Sequence, residues 1–151
     1  RSLGVKLKLS STKTIVKNKK IILIDDSLVR GTTCHKIVKM LYESGAKEVH
    51  VRIACPEIKY PDFYGVDMPT KEELLAYKKN NQEMCNHIRS KSLKFLSLDG
   101  LYKALIGSER NSNYPQFSDH YFTGDYPIKP YDNLSGFKIK QLSLLSGKSN
   151  N

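Results

Sequence analysis

No apolar run in this chain approaches the roughly 20 residues that cross a bilayer, and no charged-then-apolar leader opens it. A membrane-spanning helix and a secretory signal are therefore not part of the reading. Cysteine is scarce: Cys34, Cys55 and Cys85 lie far apart with no CxxC spacing. An odd, scattered set reads as free thiols in a reducing compartment rather than a disulfide framework, and the cytoplasm is the expected location. Internal repeats and a second domain are also missing. Acidic residues number 15 against 25 basic ones, a net charge of +10. That surplus invites a nucleic-acid reading, but the lysines are spread along the chain and no basic-and-aromatic motif organises them. Solvated surface lysine is the first reading. A polyanionic phosphate ligand near Arg1, Lys6 and Lys8 is the second, and RNA is the third.

With 39% hydrophobic and 26% charged residues, the composition is that of an ordinary folded protein, and 151 residues bury one full core. The first residue is Arg1 rather than Met, so a longer parent chain is expected. Residues 1–14 are basic and aperiodic and predict a mobile loop. Ile21-Ile22-Leu23-Ile24 reads as a strand buried on both faces, the pattern of a parallel sheet. From Thr32, apolar residues at Cys34, Ile37, Val38, Leu41 and Tyr42 have helical spacing, and Gly45 ends that helix. Residues 48–54 alternate and are β-branched, a second strand stopped by Pro56. Strand, helix, glycine turn and strand make a right-handed βαβ unit with parallel strands. The fold class is therefore α/β, a parallel sheet flanked by helices.

Downstream, residues 56–69 predict a long aromatic loop at a strand's C-terminal end, where α/β folds place their ligands. The tyrosines there serve base stacking or loop packing. Thr70 to Glu73 reads as a capping box opening a helix to about Lys79, with a second helix over roughly 82–89. Leu93 to Leu98 predicts a strand, and Asp99 caps a brief helix ending at Gly107. Residues 108–136, rich in Asn, Ser, Tyr, Pro and Gly, predict irregular surface structure. Residues 137–145 fit strand and helix equally well, and 146–151 read as disordered. The division is 1–136, comprising the loop 1–14, an α/β core 15–107 and the irregular stretch 108–136, followed by the tail 137–151. Of the four histidines only His87, with Cys85, has a partner at metal-ligand spacing, and that pair lies on a predicted amphipathic helix; all four read as surface or core residues.

The chemistry concentrates in Asp25 to Thr33. Two adjacent carboxylates at a strand end accept hydrogen bonds from a sugar's vicinal diol or hold Mg²⁺ through oxygen and water. The simpler reading is that Asp25 and Asp26 cap a turn. Beyond them, the backbone N–H groups of Val29 to Thr33 stand at a helix N-terminus that favours phosphate. Gly31 allows close approach, and Ser27, Thr32 and Thr33 add hydroxyls beside Arg30. The double acid, the glycine and the paired threonines in this register outweigh the capping reading. A ribose 5-phosphate spans the two subsites, phosphate in the turn and diol at the acids.

Residues 21–33 resemble the phosphoribosyl pyrophosphate (PRPP) signature of type I phosphoribosyltransferases. Residues 1–10, 43–51, 56–58, 63–69, 72–76 and 122–124 add a resemblance to the glutamine phosphoribosylpyrophosphate amidotransferase family, covering roughly 1–130. The resemblance implies part of a type I phosphoribosyltransferase fold, its C-terminal portion. It implies transfer of glutamine-derived ammonia to C1 of PRPP, giving 5-phosphoribosylamine and pyrophosphate in purine synthesis. Asp25 and Asp26 then hold the ribose hydroxyls and Mg²⁺, and Ser27 to Thr33, with Val29, Arg30, Gly31 and Thr32 among them, hold the 5-phosphate or that of a purine nucleotide. The loop 1–10 closes over the substrate, with Arg1, Lys6 and Lys8 balancing pyrophosphate charge; the family most often has Arg at Lys6.

Three departures qualify this. The glutaminase domain with its cysteine nucleophile, and the first half of the transferase domain with its pyrophosphate loop, are not found in these residues. Asp62, Pro115, Ser118 and Tyr121 stand where some relatives carry iron–sulfur cysteines, so no iron–sulfur cluster is expected. A complementary glutaminase or phosphoribosyltransferase chain, or a homo-oligomer, then becomes the expected partner. The alternative is an inactive remnant that binds ligand without turnover. A response regulator also begins with a strand and an acid pair, but Asp67-Met68-Pro69 has the wrong spacing for its phosphoacceptor.

Overall fold

The structure is a computed structural model that describes residues 13–65 and 70–128. Arg1, Lys6 and Lys8, most of the predicted mobile loop, the Asp67-Met68-Pro69 segment and the tail 137–151 lie outside the described residues.

Three parallel strands form the sheet: β1 (Lys20–Asp25), β2 (Glu48–Ile53) and β3 (Ser92–Phe95), in that order, with β2 central. Ile21 pairs with Val49, Leu23 with Val51 and Val51 with Leu93, so these aliphatic side chains, drawn from all three strands, share one face. Helix α2 (Thr32–Glu43) crosses from β1 to β2 and buries Cys34, Val38 and Leu41 on that face. The glycine predicted to end it does so with φ +90°, the Ala46 N–H closing back on the Leu41 carbonyl at 3.0 Å. A single helical turn, α1 (Lys13–Val16), sits where the loop was expected to reach Residue 14, and drops Val16 into the same core.

The second face corrects the sequence reading of β1. Ile22 and Ile24 are 66% and 72% exposed, so the strand is covered on one face only, where Ile21 and Leu23 are half-buried, and it is also the edge of the described sheet. On β2 and β3 the same face is polar: His50 contacts Ser92 at 2.8 Å and Glu48 at 3.1 Å, and Arg52 donates to Ser92 at 3.1 Å. An aliphatic run records that a strand buries apolar surface, but not which element covers each face.

The stretch 70–90 also departs from expectation. Thr70 makes no capping bond; Lys71–Glu73 is a 3₁₀ turn, Leu74 is extended, and α3 (Leu75–Lys78) follows. Successive helical residues point about 100° apart, so one helix cannot turn Leu74, Leu75 and Ala76 all inward. All three are buried, and the extended residue at 74 makes this possible. The capping box lies instead at Asn80, which with Glu83 opens α4 (Asn81–His87). Met84, Cys85 and Ile88 seat this helix on the core.

Helix α5 (Leu98–Ile106) starts two residues before the predicted Gly100, capped by Ser97 rather than Asp99, the Ser97 hydroxyl accepting from the Gly100 N–H at 3.0 Å. Beyond it, residues 108–128 are irregular as expected, except for the short helix α6 (His120–Thr123). Polar contacts around the buried Asp119 hold this region in place. Arg110 donates to Asp119 at 2.6 Å and to Asp125 at 2.6 Å, and the Tyr102 hydroxyl donates to Asp119 at 2.7 Å.

Candidate functional site

β1 ends at Asp25, where hydrogen bonding to β2 continues for one more step: the Ala54 N–H donates to the Asp25 carbonyl at 2.9 Å. The chain then leaves the sheet, buries Leu28, and enters α2 at Thr32 through Gly31. The result is a cavity of about 300 Å³ lined by the unbroken run Asp25, Asp26, Ser27, Leu28, Val29, Arg30, Gly31, Thr32, Thr33 and Cys34. All eight predicted binding residues from Asp25 to Thr33 line it. It lies outside the carboxyl end of a parallel strand, the usual ligand position in open α/β sheets.

The acid pair is only partly enclosed. Asp25 is half-buried and Asp26 exposed, so no buried charge demands compensation there. One oxygen of each carboxylate has a local donor: the Asp26 N–H reaches Asp25 Oδ1 at 3.1 Å, and the Ser27 hydroxyl reaches Asp26 Oδ1 at 3.0 Å. Among the described residues, each second oxygen takes no partner. Two hard oxygen donors with open sides fit a hydrated Mg²⁺ shared with a phosphorylated ligand, because that ion keeps its waters and uses one or two carboxylates. Among the described residues no group of three His, Cys, Asp or Glu side chains forms a cage able to hold a metal without such a ligand.

Past the acids, the first N–H groups of α2 have no intrahelical acceptor, and no side chain caps them. They open onto the cavity rim beside the exposed hydroxyls of Thr32 and Thr33. Beneath the site, burial pushes the Cys34 thiol up to about 11, helped by the charge of Asp25. Burial, helped by Asp26, does the same to Cys55. Both stay protonated near neutrality and supply no nucleophile.

The turn is shaped from behind by residues that sequence reasoning did not connect to it. The Leu75 N–H donates to the Val29 carbonyl at 2.9 Å, and Arg30 Nε donates to Glu73 at 2.6 Å. Gly31 has φ +76°, and a Cβ there would lie 2.8 Å from Leu75 Cδ2 and 3.3 Å from His87 Cδ2. The glycine therefore serves the close seating of the turn on α3 and α4, more directly than ligand approach. His35 Nδ1 adds a 2.9 Å bond to the His87 carbonyl. Glu73 was read as a capping residue, and nothing local in the sequence links it to a residue 43 positions away.

Three of the four positions singled out for cluster ligands also converge. His120 Nε2 donates to Asp62 at 2.8 Å, its Nδ1 lies 3.1 Å from the Ser118 hydroxyl, and the Tyr121 ring stacks 4.0 Å away. The side chains of Asp62 and His120 are each 1% exposed. Burial, then the Asp62 carboxylate, raises the Tyr121 phenol above its ordinary value.

No protein-family profile matches the chain. Curated relatives do: an amidophosphoribosyltransferase of Rhizobium etli is 49% identical over 97% of this chain, and one of Staphylococcus epidermidis is 49% identical over 95%. The chain belongs to the amidophosphoribosyltransferase family. It spans 30% and 28% of those two relatives' own lengths and corresponds to their C-terminal part. Solved structures agree. The glutamine PRPP amidotransferase from B. subtilis, complexed with ADP and GMP, superposes with a TM-score of 0.73 at 42% identity, covering 80% of this chain and 26% of that one. An allosteric regulatory enzyme of purine biosynthesis superposes with a TM-score of 0.72 at 42% identity, covering 82% and 26%. The three-stranded parallel sheet and its helices are thus part of the phosphoribosyltransferase fold of this family. Among the described residues no helix is long and apolar enough to cross a membrane.

Proposed function

We propose that residues 25–33 bind the ribose 5-phosphate portion of PRPP, or of a purine nucleotide, with Mg²⁺. The observation that carries this is the cavity between a strand's C-terminal end and a helix N-terminus, lined by one continuous segment. The 5-phosphate takes the N–H groups and hydroxyls around Gly31 to Thr33, and the ribose diol takes Asp25 and Asp26. Asp25 and Asp26 would hold Mg²⁺ through their free carboxylate oxygens, and the ion would supply positive charge against the pyrophosphate. The B. subtilis relative is complexed with ADP and GMP, which supports a purine nucleotide as a ligand class for this chain.

In this reading the chain contributes half of an amidophosphoribosyltransferase site, in which glutamine-derived ammonia displaces pyrophosphate at C1 to give 5-phosphoribosylamine. Arg1, Lys6 and Lys8 supply positive charge over the pyrophosphate. The other half comes from polypeptide equivalent to the remainder of the relatives, as a complementary chain or another part of the same one. The exposed Ile22 and Ile24 on β1, at the edge of the described sheet, support a place for it. Asp62, Ser118 and Tyr121 offer a carboxylate, a hydroxyl and a phenol where thiolates are needed, so no iron–sulfur cluster is proposed.

A second reading, binding without turnover by these residues alone, is favoured by the 28–30% span of the relatives. Titration calorimetry of PRPP with Mg²⁺ against the wild type and Asp25→Ala/Asp26→Ala tests the shared site. Equal heats sink it. Ammonia-dependent phosphoribosylamine formation separates the two readings, and none is expected from this chain without a complementary half.

A further inference from the structure

We propose that Glu73 is a positioning residue for the phosphate-binding turn. It holds Arg30 by Nε while leaving the two terminal nitrogens of the guanidinium available to an anion in the cavity that Arg30 lines. The inference rests on the phosphate reading of that cavity and adds a residue from outside it.

The geometry carries the argument. Arg30 Nε donates to Glu73 Oε2 at 2.6 Å, and among the described residues this is the only hydrogen bond that Arg30 makes. A guanidinium has five N–H donors in a planar fork, so one bond through Nε fixes the plane and leaves the outer pairs unspent. Both side chains are about half exposed, 53% and 48%, so the pair contributes little to stability. Its consequence is directional.

Glu73 is itself firmly placed. It ends a 3₁₀ turn whose following residue, Leu74, is fully buried, and the next N–H, of Leu75, is bonded to the Val29 carbonyl. One short stretch, 73–75, thus grips Val29 by its main chain, Arg30 by its side chain and Gly31 by the packing of Leu75. Three consecutive residues of the turn are held by two residues, Glu73 and Leu75, that lie 43 to 46 positions downstream.

Two effects of Glu73 on a bound phosphate oppose each other. Its carboxylate repels the anion, but at a solvated rim that repulsion is screened. Against it stands the freedom that a long arginine side chain loses on binding, which Glu73 has already removed. Pre-organisation wins in this geometry, so losing Glu73 weakens the site.

Calorimetry with ribose 5-phosphate on the full chain tests this with Glu73→Ala, Glu73→Gln, Arg30→Ala and Arg30→Ala/Glu73→Ala. Glu73→Ala should weaken binding roughly fivefold, the scale of one charge-assisted hydrogen bond at an exposed rim. Glu73→Gln, which keeps an acceptor, should recover part of the loss. In the Arg30→Ala background, removing Glu73 should change nothing further. Unchanged or tighter binding by Glu73→Ala, or an equal loss in the Arg30→Ala background, overturns the proposal.

The Arg30 Nε–Hε resonance of the ligand-free chain supplies an independent reading. It should move on Glu73→Ala while the amide resonances of the core strands stay in place, and an unmoved resonance also overturns the proposal. If the wild type binds no ribose 5-phosphate, the phosphate reading falls, and the clamp stands or falls on that resonance.

Discussion

Replacing Gly31 by alanine adds one carbon atom where the site turn meets the helices behind it. Two costs arise from the geometry. Gly31 has φ +76°, a left-handed conformation that costs a residue with a Cβ about 1–2 kcal/mol. The new Cβ would also lie 2.8 Å from Leu75 Cδ2, 3.3 Å from His87 Cδ2 and 3.5 Å from Ile88 Cγ2. Leu75 and Ile88 are buried, so neither can swing into solvent, and overpacking of this kind costs about 1–3 kcal/mol. The sum is about 2–5 kcal/mol, a large fraction of the ~5–15 kcal/mol that stabilises a domain. At about 4 °C per kcal/mol, the melting temperature should fall by roughly 8–20 °C. Urea denaturation supplies the free energy directly. The cycle with Leu75→Ala separates the two costs, because the shortened side chain removes the nearest clash and leaves the conformational part. Against Leu75→Ala, Gly31→Ala should cost only about 1–2 kcal/mol. A Gly31→Ala protein within about 0.5 kcal/mol of wild type would refute both the strain and the close-packing argument.

Other outcomes follow from the same structure. His120→Ala removes a buried ring and its bonds to Asp62 and Ser118, and should cost about 2–4 kcal/mol in a urea titration; a loss under about 1 kcal/mol contradicts its packing role. Burial pushes the Asp119 carboxyl up, but hydrogen bonds from Arg110 and Tyr102 hold it below its ordinary 3.8. Its stabilising contribution is therefore present above that value and is lost as pH falls through the lower folded-state value. Asp119→Asn should flatten the acid limb of a stability–pH curve, and an unchanged limb counts against the pairing. Cys34 and Cys55, raised from 9.0 to about 11, should react with a disulfide reagent at pH 8 on the order of a hundredfold more slowly in the native than in the unfolded chain. Residue-resolved mass spectrometry reads this, and reaction at the unfolded rate refutes it. Ile22→Lys/Ile24→Lys should change this chain's stability by less than about 1 kcal/mol in total, because both side chains are mostly exposed. A larger loss on denaturation shows that the face is covered.

The sequence by itself determined what depends on neighbours along the chain. The βαβ unit was legible because aliphatic runs, helical spacing in 34–42 and Gly45 are local signals, and all describe the same elements in the structure. The cavity's residues were legible for the same reason: Asp25 to Thr33 form one continuous segment, and strand, turn and helix start are written in order. Tertiary structure decided whatever joins distant residues or depends on what covers a surface. β1 read as buried on both faces, yet Ile22 and Ile24 lie open, because burial belongs to the covering element rather than to the strand. Glu73 read as a cap, yet it holds Arg30, because the buried side chains of Leu74, Leu75 and Ala76 break the helix that it would have started. Gly31 was singled out for ligand approach, while the packed position of Leu75 makes glycine necessary there. The pairing of His120 with Asp62, 58 residues apart, has no local signature at all. Local periodicity and turn chemistry thus placed the site, and long-range packing set the shape of its turn.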